Sequence, residues 1–308
     1  MGVLDQVTAV YAATMRASAF LTRLSISGRH FEGAGSRAPA QSPGNDMALQ
    51  PEDTATGQGS NGDPAKGTGA ATPAADAPAR YRLGEDAAVF PLVGLIAAAP
   101  AALLVLVLPV LGPSPLVVGI LATAALVAAT GALHEDGLGD VADGLFGHQP
   151  KERAIAIMHD SRVGSYGAIA LVLSLMLRAG LVGDLVADDP ARAALVVLAA
   201  AAASRGAMAF IWATTPSALD SGLAARAGQP PRGKGRRSLL IGAGIAVLLV
   251  LPAAGLAQVL LAAILAALVL SWFRRFILRR IGGQTGDCLG AAQQLCEIAI
   301  LFGLATSG

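Results

Sequence analysis

Apolar residues along this chain gather into seven long stretches, roughly 88–111, 114–133, 166–187, 191–214, 238–255, 256–273 and 289–306, set apart by polar connections. Most approach the ~20 residues that a helix needs to cross a hydrocarbon core, with 256–273 and 289–307 at the short end. Leu, Ala and Val fill them without the dyad alternation of a membrane barrel. Their many glycines suit helices packed closely in lipid. The pattern predicts an all-α fold, a polytopic transmembrane helical bundle of about six or seven spans. Pro113, Pro115 and Pro252 fall in tight connections between paired spans.

Two segments precede the first span. Residues 1–32 begin with a mildly amphipathic stretch carrying Asp5, Arg16 and Arg23, which fits a helix lying on the membrane or re-entering it, not a secretory signal. Residues 33–80 include "GNDMALQPEDTATGQGSNGDPAKGTGAATPAADAPAR", with almost no large apolar side chains. Such a segment cannot bury enough surface to offset its ordering entropy, so it reads as a disordered insertion without catalytic residues. The catalytic unit is then 81–308.

Charge gives the bundle a direction. The connections 134–165, 215–237 and 274–288 carry most of the Lys and Arg, whereas those near 112, 188 and 255 are short, the middle one holding Asp184, Asp188 and Asp189. The positive-inside rule puts the three basic connections in the cytoplasm, so every polar motif opens on that face. Composition agrees with a membrane protein: 54% hydrophobic, 14% charged, mean hydropathy +0.60, against about a quarter charged in average soluble chains. A net charge of +1 points to no nucleic-acid partner. Cys288 and Cys296 fit neither a disulfide framework nor a zinc site and read as apolar fillers.

The chemistry starts at "TGALHEDGLGDVADGLFG", 130–147. Taken as a helix continuing from the second span, it puts Asp136, Asp140 and Asp143 on one face at i, i+4 and i+7, with Glu135 pointing elsewhere. Like charges at that spacing repel, and Gly137, Gly139 and Gly144 each weaken a helix by roughly 1 kcal/mol relative to Ala. A sequence that accepts both penalties implies a neutralising cation and a ligand that approaches the backbone closely. Oxygen donors without cysteine favour a hard ion such as Mg²⁺, which keeps waters and is completed by substrate phosphates. A solvated acidic loop, or a cation relay in a transporter, would also explain the acids but not the glycines.

Two further patches complete the set. "ERAIAIMHDSRVGSYGA" places Asp160, Ser161 and Arg162 just before the third span, followed by Gly164 and Gly167. An arginine there suits phosphate oxygens, or serves as a plain membrane anchor. "IGGQTGDCLGAAQQLCE" has Thr285, Gly286 and Asp287 in a glycine-rich turn that opens the last helix, either an anion cradle or a simple interhelical turn. Asp287 is a further candidate metal ligand. Arg178 and Arg205 lie inside apolar spans and need partners, Asp184 or a substrate phosphate among them. His134 is a candidate general base or hydrogen-bonding neighbour, while His148 and His159 read as surface residues.

In that order, "LHEDGLGDVADGLFG", "IMHDSRVGSYGAIAL" and "GGQTGDCLGAA", with "AFLTRLSIS" and "FPLVGLIAA" ahead of them, resemble the cobalamin synthase (adenosylcobinamide-GDP ribazoletransferase) family over about 1–30 and 81–308. The resemblance implies an enzyme of the bacterial inner membrane with its site facing the cytoplasm. It implies that a hydroxyl of α-ribazole, or of its 5′-phosphate, attacks adenosylcobinamide-GDP with Mg²⁺ and releases GMP. On that resemblance Asp136, Asp140, Asp143 and Asp287 hold metal, while His134 and Arg162 assist catalysis. Asp160, Ser161, Arg162, Gly164, Arg205, Thr285, Gly286 and Asp287 contact substrate. Partners are these small molecules and membrane lipid, and a homo-oligomer is left open. Glu135, His159 and Gln294 depart from the residues usual in the family, as does the insertion. A CDP-alcohol phosphotransferase pattern begins at Asp140-x-x-Asp143-Gly144, but Phe146, Gly147 and His148 break it.

Overall fold

The computed structural model describes residues 3–23, 82–219 and 227–306, which are helical without a single strand among them. The expected insertion at 33–80 lies outside the described residues. Among the described residues ten α-helices follow in order: α1 Val3–Leu21, α2 Phe90–Val107, α3 Pro115–Thr130, α4 Leu133–Phe146, α5 Lys151–Met158, α6 Ser165–Asp188, α7 Pro190–Thr214, α8 Arg232–Ala254, α9 Leu256–Ile281 and α10 Gly286–Ala305. Six segments are long and apolar enough to cross a membrane: α2 with its flanking 3₁₀ turns, α6, α7, α8, α9 and α10; α3 and α4 together make a seventh, broken one. The predicted count of six or seven therefore holds. The short-looking 256–273 stretch is the N-terminal part of a 26-residue helix that runs on through Arg279 and Arg280.

Position in the bundle follows from side-chain size. In their most apolar windows α7 and α10 are buried over 78% and 72%, α8 and α9 over only 17% and 11%. The alanine-rich, Gly/Ser-containing run of α7 makes it the centre, because small side chains let neighbouring backbones approach. A Cβ on Gly94 of α2 would overlap the carbonyl of Ala201 in α7. Val105, Val118, Val182, Val196 and Leu301 build the main apolar core around that axis. At one end α1 docks on the 3₁₀ turn Leu83–Val89 through a fork–fork pair, Arg16 Nε and Nη2 donating to Asp86 at 2.8 and 3.0 Å. Its first half is exposed, whereas Ala17, Ser18 and Leu21 are buried.

Two local expectations are corrected. Pro252 is not in a connection but inside the last turn of α8, and the break comes at Gly255, φ +85°. More consequentially, the acidic helix does not continue the second span: α3 and α4 meet at 92°. Gly131 and Ala132 are both left-handed, at φ +64° and +59°. The Ala132 amide donates to Val127 O at 2.9 Å and that of Gly131 to Ala128 O at 3.2 Å, a Schellman closure of α3. The Arg23 amide, just beyond α1, donates to Ala129 O at 2.8 Å and braces the corner.

Replacing Gly94 by Val forces α2 and α7 apart. The expected cost is about 1–3 kcal/mol, seen as a lowered unfolding midpoint in detergent; an unchanged midpoint would show that this contact is not close-packed.

Candidate active site

Helix α4 wedges between α6 and α10, and two sets of polar contacts fix it there. Near its start, Glu135 Oε1 accepts from Arg178 Nη1 of α6 at 2.7 Å and from Gln294 Nε2 of α10 at 3.0 Å. Near its end, the Asp143 carboxylate accepts from the amides of Gly164 and Gly167, both at 2.8 Å. Since Arg178 lies halfway along α6 and Gly164 caps its start, α4 runs antiparallel to the first half of α6. A Cβ on Gly164 or Gly167 would overlap the Asp143 carboxylate, which accounts for both glycines. Anionic oxygen at exposed helix N-terminal amides is favourable.

The glycines inside α4 have a different task from the one expected. A Cβ on Gly137 would lie 2.7 Å from Asp287 O, and one on Gly144 2.8 Å from Ala154 O. These two admit the backbones of α10 and α5, whereas a Cβ on Gly139 would make only ordinary contact with the Leu171 side chain. Leu138, Val141 and Leu145 then face an apolar cluster with Met158, Ile277, Ile281 and Ala291. The opposite face is open: Asp136 is exposed, and Asp140 and Asp143 are half-buried. Asp140 is repelled by Asp136, Asp287 and Asp143 together, so four carboxylates of α4 and α10 share one region.

Not every predicted residue reaches it. His134, the candidate base, is 2% exposed on the interior side, with the Arg205 and Arg178 charges beside it and its Nε2 unpartnered. Arg205 is 1% exposed and turned inward, donating to Ala201 O at 3.1 Å with Glu297 Oε2 4.0 Å away. Arg178 Nη2 also meets Glu297 Oε1 at 3.0 Å, so Glu135 and Glu297, not Asp184, are its partners. Gln293 donates to Glu297 Oε2 at 2.5 Å and to Ser204 Oγ at 3.0 Å. Two arginines and two glutamates thus neutralise one another inside the bundle.

The glycine-rich turn is more engaged than an empty cradle. Gln284 N donates to Pro216 O at 2.8 Å and Ala218 N to Gln284 O at 2.9 Å, tying the exit of α7 to the start of α10. Gly283 is required by that crossing, 2.5 Å from Pro216 O for an added Cβ. Thr285 caps α10, accepting from Cys288 N at 3.3 Å, and its hydroxyl meets Asp287 Oδ2 at 3.3 Å. Gly286 alone faces open space. Ser161 and Arg162 are exposed; the Arg162 guanidinium reaches Asp160 at 2.6 Å and holds that carboxyl down to about 2. His159, expected to be a plain surface residue, is exposed yet close enough to Asp287 to act on its charge. Both cysteines are free and buried.

Among the described residues no three His, Cys, Asp or Glu side chains converge as a ready-made metal site. The donor set nevertheless fits a hard cation: crowded carboxylates and no sulfur, for an ion that commonly takes one or two carboxylates plus water and phosphate. Asp136 and Asp140 are the less committed donors, because Asp143 already receives two amides and Asp287 the Thr285 hydroxyl.

These features define a polytopic membrane protein with a group of carboxylates toward the basic end of its bundle. Comparison with known proteins gives the family. The chain belongs to the cobalamin-5-phosphate synthase family, whose model matches residues 70–305. Proteins named adenosylcobinamide-GDP ribazoletransferase are similar to it. That of Azorhizobium caulinodans is 46% identical over 231 residues, covering 75% of this chain and 88% of the relative. That of Rhizobium johnstonii is 44% identical over 228 residues, with 73% and 87% covered, and that of Brucella ovis 40% over 227, with 72% and 86%. No solved structure matches. The family sets aside the CDP-alcohol phosphotransferase and transporter readings.

Replacing Arg178 by Met leaves Glu135 and Glu297 facing each other without their shared cation. The expected loss is about 3–5 kcal/mol, read as a lowered unfolding midpoint. Adding Glu135→Leu should recover much of it, since Glu297 keeps Arg205; no recovery would mean that Arg178 acts through packing alone.

Proposed function

We propose that the protein joins adenosylcobinamide-GDP to α-ribazole, or to its 5′-phosphate, in the cytoplasmic leaflet of a bacterial inner membrane. A ribose hydroxyl of the acceptor forms the new P–O bond at the phosphate bearing cobinamide. The bond from that phosphate to the bridging oxygen breaks, GMP leaves with the electron pair, and the hydroxyl proton passes to solvent or a carboxylate. The observation that carries this reading is that Asp136, Asp143 and Asp287 all lie close enough to Asp140 to repel its charge, in a chain whose relatives carry the name of that transferase.

Positioning and charge neutralisation do the work in phosphoryl transfer of this kind. Bound Mg²⁺ would supply neutralisation of the diphosphate. Asp136, Asp140 and Asp287 are assigned to hold it. Asp143 keeps α4 docked on α6 and so keeps the other carboxylates in place. The exposed guanidinium of Arg162, now folded onto Asp160, is free to swing to phosphate oxygens. Gly286, with open space before it, gives a phosphate access to the first turn of α10. His134 is reassigned from base to interior neighbour of the arginines.

Asp140→Asn should abolish GMP release from adenosylcobinamide-GDP in the presence of α-ribazole and Mg²⁺, with an unchanged unfolding midpoint. Near-normal turnover would remove Asp140 from the site. Asp143→Asn should lower turnover and midpoint together, because it weakens the anchor to Gly164 and Gly167. Arg162→Ala should slow turnover at least tenfold without moving the midpoint; equal turnover would leave that arginine as a surface anchor only.

A further inference from the structure

Away from the carboxylates, a groove of about 470 Å³ opens between α8 and α9, with α7 and α10 as its floor. Leu240, Ala243 and Val247 form one wall and Ala263, Ala266 and Leu270 the other. Its size is that of a ligand pocket, yet its lining is apolar apart from Ser271 at one end. The two walls belong to the least buried helices of the bundle, so the groove faces lipid. It spans 239–250 on α8, ~17 Å of helix, the length of an extended acyl chain.

Both walls end in arginine at the same end. On α8 the stripe 250, 247, 243, 240 leads one turn further to Arg236, and on α9 the stripe 263, 267, 271 leads to Arg275. The helices form a hairpin turned at Gly255, so these two arginines stand on one membrane face, the side of the basic connections. Neighbouring Arg274 is already committed, donating to Thr215 Oγ1 at 3.2 Å and Thr214 O at 3.0 Å. Arg236 and Arg275 are exposed and have no hydrogen bond or ion pair among the described residues. The opposite end of the groove, near Val250 and Val259, holds no charge.

We propose that this groove binds an anionic phospholipid of the inner leaflet, one acyl chain along the alanine walls and the headgroup phosphate between Arg236 and Arg275. Basic residues at the mouth of an interhelical crevice on the cytoplasmic side have the chemistry for such a headgroup. The site is independent of the reaction proposed above.

The test uses the full chain in bilayers of phosphatidylcholine, titrated over the same range of mole fraction with brominated-acyl phosphatidylglycerol or brominated-acyl phosphatidylcholine. Trp272, beside Ser271 and 51% exposed, reports by fluorescence quenching, while Trp212 is buried at 3%. Brominated phosphatidylglycerol should quench at a mole fraction about tenfold lower than brominated phosphatidylcholine. Arg236→Gln with Arg275→Gln should bring the curves together, whereas Arg153→Gln, an exposed charge off the groove, should leave the preference intact. Filling the groove with Ala243→Leu and Ala266→Leu should abolish the preference with both arginines present. Equal quenching by the two lipids in the unaltered protein would overturn the proposal, and that result needs no variant to fold. So would a preference surviving the double arginine change or the filled groove, or quenching that falls as protein density rises, which would assign the groove to a second copy.

Discussion

One guanidinium sets where the acidic helix lies. Arg178 projects from the middle of α6 and is gripped by Glu135 from the first turn of α4 and Glu297 from the middle of α10. A lone charge inside a bundle in lipid is expensive, and pairing removes much of that cost without making the pair a large net stabiliser. What pairing does provide is a single solution. With two carboxylates and two arginines buried together, sliding α4 by one turn would strand at least one charge. The contacts of Asp143 with Gly164 and Gly167 fix the other end. A helix pinned at both ends has neither depth nor rotation left to vary.

Rotation decides what the helix displays. Side chains advance by about 100° per residue, so turning Glu135 toward Arg178 sends Leu138, Val141 and Leu145 to the apolar cluster and leaves Asp136 and Asp140 at the opening. The burial of one carboxylate and the exposure of the others are therefore one geometric fact. Helix approach then becomes critical, since α10 can deliver Asp287 to the same region only where α4 lacks a side chain, at Gly137. Among the described residues, against the repulsion around Asp140 stand only local contacts, the two amides on Asp143 and the Thr285 hydroxyl and His159 beside Asp287. A cation among these groups is the simplest counterweight.

The spans were legible because membrane thickness imposes length and apolarity on them, whatever the packing. The shared face of Asp136, Asp140 and Asp143 was legible too, as helical spacing alone puts them together. The corner between α3 and α4 was not inferred, although Gly131 is the usual residue for a helix end: continuous apolarity across 114–133 masked it, and Ala132 in a left-handed conformation has no sequence signal. Interior partners were equally hidden. Glu135 and Gln294, noted as unusual residues 159 positions apart, turn out to share Arg178 as a partner. Pairwise contact between distant helices leaves no local pattern, which is also why nothing in the sequence tied Gly164 and Gly167 to the Asp143 carboxylate, or Gly283 to a crossing backbone.

Depth links this architecture to the proposed chemistry. Asp140 sits between Glu135, level with the middle of α6, and Asp143, level with its first turn. The carboxylates are thus recessed below the basic connections. Charge interactions strengthen as water is excluded, so the recess makes four bare aspartates most unfavourable where a neutralised diphosphate would be held most firmly. Arginines on the outer rim face the opposite problem, since they stay hydrated and attract anions at long range without binding them tightly. On the proposed reading, a basic rim above these acids would separate capture from reaction: the rim would draw a diphosphate in, and it would be retained only with accompanying cations. Preference for a metal-paired diphosphate over other anions would then follow from the order in which charge is met.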